Sequence, residues 1–126
     1  MANKETSETG VVRLKTRPQF LFVRGGHSER RKSVVVQARL RKGSEQIGAG
    51  FTATKKVGNS VVRSRAKRRL REASRQLLPL HGKLGADYVF IARIDTATIG
   101  WQRLLDDMES ALISLAEQIS AGTGPA

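Results

Sequence analysis

The chain has 126 residues, 39% of them hydrophobic, which is enough for one domain with a packed core and too few for two. Its formal net charge of +12 exceeds what solubility requires and indicates a polyanionic partner, while the absence of cysteine excludes disulfides, thiolate metal sites and a cysteine nucleophile. No apolar run reaches the roughly 20 residues that span a bilayer, and the polar start MANKETSETG is unlike a secretory signal, so we expect a cytoplasmic protein.

The N-terminal part predicts a polar tail followed by a short helix. Residues 1–12 are expected to be disordered. Thr16 can cap a helix that has Pro18 in its first turn, and Gly25 with Gly26 supplies a stop.

Three strands are expected after this helix. The β-branched run 33–40 and the segment 46–54 are separated by Gly43 and Ser44, which favours an antiparallel hairpin. The apolar segment 86–94 predicts a third strand.

Two longer helices complete the prediction. One spans about residues 59–78 and is ended by Pro79, and the other spans 101–120. The buried side of the last helix is predicted from its apolar positions, Leu104, Leu105, Met108, Leu112, Leu115 and Ile119. The result is an α+β domain over residues 13–120, with helices packed on one small sheet and a flexible tail at 121–126.

The segment 55–75 carries most of the functional signal, because it is strongly basic and its single acid is Glu72. When successive residues are placed about 100° apart around a helix, the apolar residues fall within an arc roughly 80° wide. The arc consists of Val62, Ala66, Leu70, Ala73 and Leu77. The opposite side holds Lys67, Arg68, Arg71 and Arg75, and the flanks hold Arg63, Arg65 and Arg69. The helix is therefore anchored by one face and cationic over the rest.

A run of charges on a helix is usually a solvated face with mixed signs. Here the charges are almost all positive, so local salt bridges are too few to offset their repulsion, which favours binding of an external polyanion. Arginine suits this role because its planar fork donates two hydrogen bonds to a phosphate and its face stacks on unpaired bases. Gly58 and Asn59 at the helix start can offer backbone N–H groups to another phosphate.

The stretch GFTATKKVGNSVVRSRAKRRLREASR resembles the signature of the bacterial ribonuclease P protein family: a strand, two lysines, Gly-Asn, and a helix of the pattern Arg-x-Arg-x-Lys-Arg-x-x-Arg-Glu. RLKTRPQFLFV is similar to that family's opening segment and GADYVFIAR to its later strand, so the resemblance covers about residues 13–115. The family usually places Asn between the two motif arginines, where this chain has Ser64. The hydroxyl of Ser64 allows only a reduced version of any contact that the Asn amide makes.

This resemblance implies an α/β sandwich of about three helices on a small, mostly antiparallel sheet, with an unusual left-handed βαβ crossover. It also implies a ribonucleoprotein endonuclease in which a catalytic RNA, with bound Mg²⁺, removes the 5′ leader of precursor tRNA. The protein would be an accessory subunit that supplies charge and positions the substrate. The residues that the resemblance assigns to the catalytic RNA are Lys55, Lys56, Asn59, Arg63, Ser64, Arg65, Lys67, Arg68, Arg71 and Arg75.

A second implied surface is a cleft between the first helix and the sheet that binds the single-stranded leader. The residues assigned to it are Arg13, Arg17, Phe20, Arg24 and Val36. A base stacked on the Phe20 ring needs no particular sequence. Core packing is the alternative for Phe20 and Phe22, and the alternating strand residues Val34, Val36 and Ala38 can either floor the cleft or lie under a helix.

No protein-borne catalytic or metal site is predicted. His27 and His81 have no companion ligands at suitable spacing, and Asp106, Asp107 and Glu109 are expected only to solvate a helix surface. The alternative functions are a ribosomal or other structural RNA-binding protein, and a DNA-binding protein that places the basic helix in a major groove. DNA binding is not expected, because the helix offers few Asn or Gln side chains to read base edges.

Overall fold

The computed structural model describes residues 10–121, and the elements form where the local sequence favours them. The strands are β1 (Val11–Arg13), β2 (His27–Arg30), β3 (Val34–Leu40), β4 (Ile47–Thr52) and β5 (Ala86–Ala92). The α-helices are α1 (Arg17–Arg24), α2 (Ser60–His81) and α3 (Trp101–Ala121), and short 3₁₀ turns cover Lys55–Val57 and Ile94–Ala97. At the start of α1 the Gln19 side chain accepts a hydrogen bond from the Thr16 N–H (2.9 Å).

The five strands form one sheet in the order β1-β4-β5-β3-β2. β4 is parallel to both β1 and β5, whereas β3 is antiparallel to both β5 and β2. β5 lies at the centre and is buried on both faces, as its largely apolar sequence, broken only by Asp87, favours. The expected α/β sandwich with three helices is confirmed, and the sheet is evenly mixed rather than mostly antiparallel.

The helices cover both faces of the sheet. The main core lies between the sheet and the helices α2 and α3, and includes Tyr88 and Phe90 of β5. A smaller cluster on the opposite face joins Leu14 and Val23 to Val89 beneath α1. Among residues 10–121, no helix is both long and apolar enough to cross a membrane.

The predicted hairpin between β3 and β4 is wrong. The two strands run antiparallel, but β5 lies between them and pairs with each. Alternating apolar residues predict that one face of a strand is buried, but they do not predict which strands pair with it. The β4–α2–β5 connection is a βαβ unit with parallel strands, and its left hand stays a prediction.

Several predicted boundaries move by a few residues. Val11 and Val12, assigned to the disordered tail, belong to β1 because they pair with β4, and residues 1–9 and 122–126 lie outside the described residues. α2 continues through Pro79 and ends at His81. Pro79 lies in the last turn, so its missing N–H donor affects only the end of the helix.

Asp107 ties α3 to the start of β3, so it does more than solvate the helix. Its carboxylate accepts hydrogen bonds from the Ser33 hydroxyl (2.8 Å), the Ser33 N–H (3.3 Å) and Nε of Arg103 (3.1 Å). Burial raises the pKa of Asp107, but the bonds from Ser33 and Arg103 and the Arg103 charge outweigh burial and hold that pKa below its ordinary value. Glu109 also has a structural role, because it lies 3.0 Å from His81 of α2.

Replacing Asp107 should therefore destabilise the fold in a pH-dependent way. We expect Asp107→Asn to lower the free energy of unfolding by about 1–3 kcal/mol at pH 7. A folded pKa below the unfolded one gives stability that is present above the unfolded value of about 3.9 and is lost as the pH falls through the folded value. The difference from wild type should accordingly shrink below about pH 4 in urea unfolding.

The matched control is Asp106→Asn, because Asp106 is exposed and its carboxylate accepts a bond from Gln102 of its own helix. This control should change stability little. A loss in Asp107→Asn that stayed the same from pH 7 to pH 3 would contradict the assigned role of the charge.

Candidate nucleic-acid interface

The side of α2 that faces away from the sheet is exposed and cationic. It presents Ser64, Arg68, Glu72 and Arg75 to solvent. Arg75 lies 3.7 Å from Glu72, but both side chains are at least half exposed, so this pair contributes little. The Arg68 side chain makes no hydrogen bond or ion pair with any residue in 10–121, and it remains available to an external anion.

A second side of α2 is fastened to the segment that precedes α3. Nε of Arg65 donates to the Ala97 carbonyl (3.0 Å), and Nη1 of Arg69 donates to the Thr96 carbonyl (2.6 Å). Nη2 of Arg69 donates to the carbonyl of Ile99. Burial, and then the charge of Arg65, lower the pKa of Arg69 below its ordinary value. Arg69 is therefore a structural clamp, and Arg65 contributes to the same attachment through its Nε.

A third side of α2 faces the β1–β4 edge of the sheet. Arg63, Lys67 and Arg71 recur every four residues along it and are partly or fully exposed. The Arg71 guanidinium carbon lies 5.6 Å from the centre of the Phe51 ring. Burial, and then the charge of Arg13, lower the pKa of Arg71 below its ordinary value. These cations continue the basic surface from the outer side of α2 towards the sheet.

The predicted residues before α2 lie at its N-terminal end. Lys55 and Lys56 are exposed in the 3₁₀ turn that follows β4. Asn59 caps α2, because its Oδ1 accepts a hydrogen bond from the Val62 N–H (2.9 Å). Asn59 is exposed, and its amide nitrogen is not used by this cap.

Phe20 of α1 lies against the sheet on the face opposite α2. A Cβ at Gly50 would be only 2.6 Å from Cε1 of Phe20, so glycine at this position allows the ring to reach the strand. Phe20 packs beside the small cluster under α1 and remains partly exposed. Arg17 and Arg24 are exposed three residues before and four residues after Phe20, and so they flank it on the same side of the helix.

The strand residues beside Phe20 differ from the predicted ones. Val36 is fully buried under α2 and α3, so it cannot line a cleft on the α1 face, and Val34 and Ala38 are buried with it. Side chains alternate between faces, and the partly exposed row on the α1 face is Val35, Ile91 and Thr52, which are register partners. We call Phe20 and this row the α1 cleft. The sequence showed the alternation but not which face each helix covers.

Arg13 is also placed away from the α1 cleft. It is the register partner of Ala49, a residue of the main core, so its side chain emerges on the α2 face. The prediction that Arg13 lies with Phe20 is therefore wrong. The structure brings Arg13 to the third side of α2, near Arg71.

Comparison with known proteins by sequence gives the same family from a family profile and from individual relatives. A profile of the family described as Ribonuclease P matches residues 10–116. The ribonuclease P protein component of Caulobacter vibrioides is 51% identical over 111 residues, which cover 87% of this chain and 74% of the relative. That of Ruegeria pomeroyi is 46% identical over 112 residues, which cover 86% and 90%.

Solved structures share the fold. The Staphylococcus aureus RNase P protein matches with a TM-score of 0.67 at 28% identity, over 79% of this chain and 91% of that one. The RNase P protein from Thermotoga maritima matches with a TM-score of 0.69 at 24% identity, over 81% and 96%. The second likeness supports the fold alone.

The clamp predicts different effects for two neighbouring arginines. Arg69→Ala removes bonds to two carbonyls and should lower the free energy of unfolding by about 2–4 kcal/mol. Arg68→Ala should change it by less than about 0.5 kcal/mol, because that side chain is exposed. Thermal and urea unfolding of the two free proteins measure the difference. Equal stability of the two variants would show that the loop before α3 does not depend on Arg69.

Proposed function

Because the chain belongs to the ribonuclease P protein family, we propose that it holds the catalytic RNA with α2 and the 5′ leader of precursor tRNA in the α1 cleft. The family's ribonucleoprotein is an endoribonuclease of tRNA 5′ processing in which the RNA is the catalyst. The protein is its RNA-binding component. Which residues touch which RNA is the part that we propose.

The observation that carries the proposal is the unneutralised charge on two sides of α2. Among residues 10–121, the basic side chains of these sides have a single carboxylate neighbour, Glu72, at 3.7 Å from Arg75. Like charges on one helix repel, and phosphate oxygens would relieve this repulsion while accepting hydrogen bonds from the arginine forks. The RNA-facing set is Lys55, Lys56, Asn59, Arg63, Ser64, Lys67, Arg68, Arg71 and Arg75, with the terminal nitrogens of Arg65.

The contribution of the protein to cleavage is electrostatic and positional. Two RNAs that meet at a cleavage site repel each other through their phosphates, and a protein with a net charge of +12 between them lowers this repulsion. Since α2 is anchored by fully buried residues such as Leu70, the helix that carries these cations is in position before the RNA arrives. Such a surface raises affinity without taking part in bond cleavage.

The α1 cleft suits a single strand of varied sequence. The partly exposed Phe20 ring offers a stacking surface, while Val35 and Ile91 give an apolar floor. The flanking Arg17 and Arg24 can pair with leader phosphates at either side of the stacked base. None of these contacts reads a base edge, as an enzyme with many substrates requires.

We propose that Mg²⁺ is bound mainly by the catalytic RNA. The support is the chemistry of the ion, because Mg²⁺ keeps several of its waters and binds phosphate oxygens, which the RNA supplies. Among residues 10–121, no group of three or more His, Cys, Asp or Glu side chains could hold a metal ion. We also place the protein in the cytoplasm, where its RNA partners are made.

The proposal is tested by adding the purified protein to ribonuclease P RNA and precursor tRNA at low Mg²⁺. We expect cleavage that RNA alone does not achieve, because the protein supplies charge that Mg²⁺ otherwise provides. Lys67→Gln combined with Arg68→Gln should weaken binding of the catalytic RNA about tenfold or more. An unrelated ribosomal protein is the control, and failure of the wild-type protein to exceed it would exclude the proposed function.

Phe20→Ala should weaken the affinity of the holoenzyme for precursor tRNA by about 1–3 kcal/mol if a stacked leader base is lost. Affinity for mature tRNA, which has no leader, should hardly change. Equilibrium binding of both RNAs to the same reconstituted holoenzyme gives this difference.

Phe22→Ala is the matched control. Phe22 is also partly buried beside the small cluster, but its ring lies 4.4 Å from the guanidinium carbon of Arg39, which is four residues along β3 from Val35 of the α1 cleft. Both variants should lose similar folding stability, and only Phe20→Ala should lose discrimination for the leader. Equal loss of discrimination in both variants would mean that Phe20 acts only through the stability of α1.

A further inference from the structure

Two arginines from distant parts of the sequence come together at the β1 edge of the sheet. Arg13 lies on the edge strand β1, and Arg71 lies on the adjacent side of α2. The register partner of Arg13 is Ala49, two residues before Phe51, and the Arg71 guanidinium lies over the Phe51 ring. Both side chains therefore emerge on the same face of the same edge.

No described residue neutralises this pair. The ion pairs among residues 10–121 involve neither arginine, and no hydrogen bond of their side chains is formed within this range. Arg63, two turns before Arg71 on the same side of α2, has a buried Nε without a hydrogen-bond partner in the described part of the chain. An edge with several cations and no acceptor is suited to an anion from outside.

We propose that Arg13 and Arg71 together bind one backbone phosphate of the catalytic RNA, so that its binding surface extends from α2 across the β1 edge of the sheet. This inference rests on the proposed function and adds a residue that lies outside the basic helix. A phosphate between two guanidinium groups accepts hydrogen bonds from both forks and reverses their mutual repulsion.

The leader is the alternative occupant, and the geometry disfavours it. Arg13 emerges on the α2 face, whereas Phe20 packs on the α1 face and contacts the position of Gly50. A leader in the α1 cleft would have to cross the edge of the sheet to reach Arg13. A catalytic RNA bound along α2 would reach the pair directly.

The experiment compares Arg13→Gln with Arg30→Gln. Arg30 is also exposed, and it lies on β2 at the opposite edge of the sheet, so both variants lose the same charge. For Arg13→Gln we expect about tenfold weaker binding of catalytic RNA and a salt slope of log K that is shallower by about 0.7–0.9. Arg30→Gln should retain nearly full affinity.

The stability of the free protein should respond in the opposite direction. Because Arg13→Gln removes a like charge beside Arg71, its melting temperature should equal or exceed that of wild type at low salt. In the double variant with Arg71→Gln, the loss of affinity should be smaller than the product of the two single losses, since both residues hold one phosphate.

Any of three results would overturn the inference and leave the proposed function standing. The first is that Arg30→Gln weakens binding of the catalytic RNA as much as Arg13→Gln does, and the second is that Arg13→Gln melts below wild type. The third is that Arg13→Gln loses discrimination for the leader while its affinity for catalytic RNA is unchanged. Independent effects of Arg13 and Arg71 would also overturn the shared phosphate. Failure of the wild-type protein to bind the catalytic RNA would instead remove the proposed function itself.

Discussion

The packing of α2 against the sheet is the constraint on which the fold and the basic surface depend. A 22-residue helix that carries six arginines and one lysine is opposed by its own charge. It persists because Ala66, Leu70 and Ala73 are completely buried against the sheet, and because Arg69 is used as a clamp on the segment before α3. Arg69 and Arg65, which donates to the Ala97 carbonyl, thus stabilise the fold, and the other cations are presented on a rigid helix.

The central strand β5 keeps the two proposed RNA surfaces apart and in fixed relation. Tyr88 and Phe90 pack towards α2 and α3, whereas Val89 and Ile91 face α1, because side chains alternate along a strand. The α1 cleft and the basic helix therefore occupy opposite faces of one sheet. They approach each other where β4 ends and Lys55 and Lys56 begin the passage to α2, so one ribonucleoprotein can engage both.

Sequence patterns predicted what depends on local periodicity and missed what depends on distant partners. The apolar stripe of α2 and the buried side of α3 follow from helical spacing, and both are confirmed except that Val62 and Leu105 are only partly buried. The same alternation in β3 left open whether Val35 or Val36 faces α1, because period two does not say which face a helix covers. Nothing local marks Arg69 as structural, since its carbonyl partners lie 27 and 30 residues further along the chain.

The distribution of the acids agrees with a division between structural cations and the cations that we propose face RNA. Glu29 pairs with Arg31, Asp87 with Arg41 and Asp107 with Arg103, all of them away from the open sides of α2. These three acids therefore neutralise cations that hold loops and helix ends, and on the open sides of α2 only Glu72, beside Arg75, offsets the positive charge among residues 10–121. Repulsion between these cations lowers the stability of the free protein. An RNA that binds only the folded state neutralises this repulsion and stabilises the fold by mass action. Binding and folding are therefore linked.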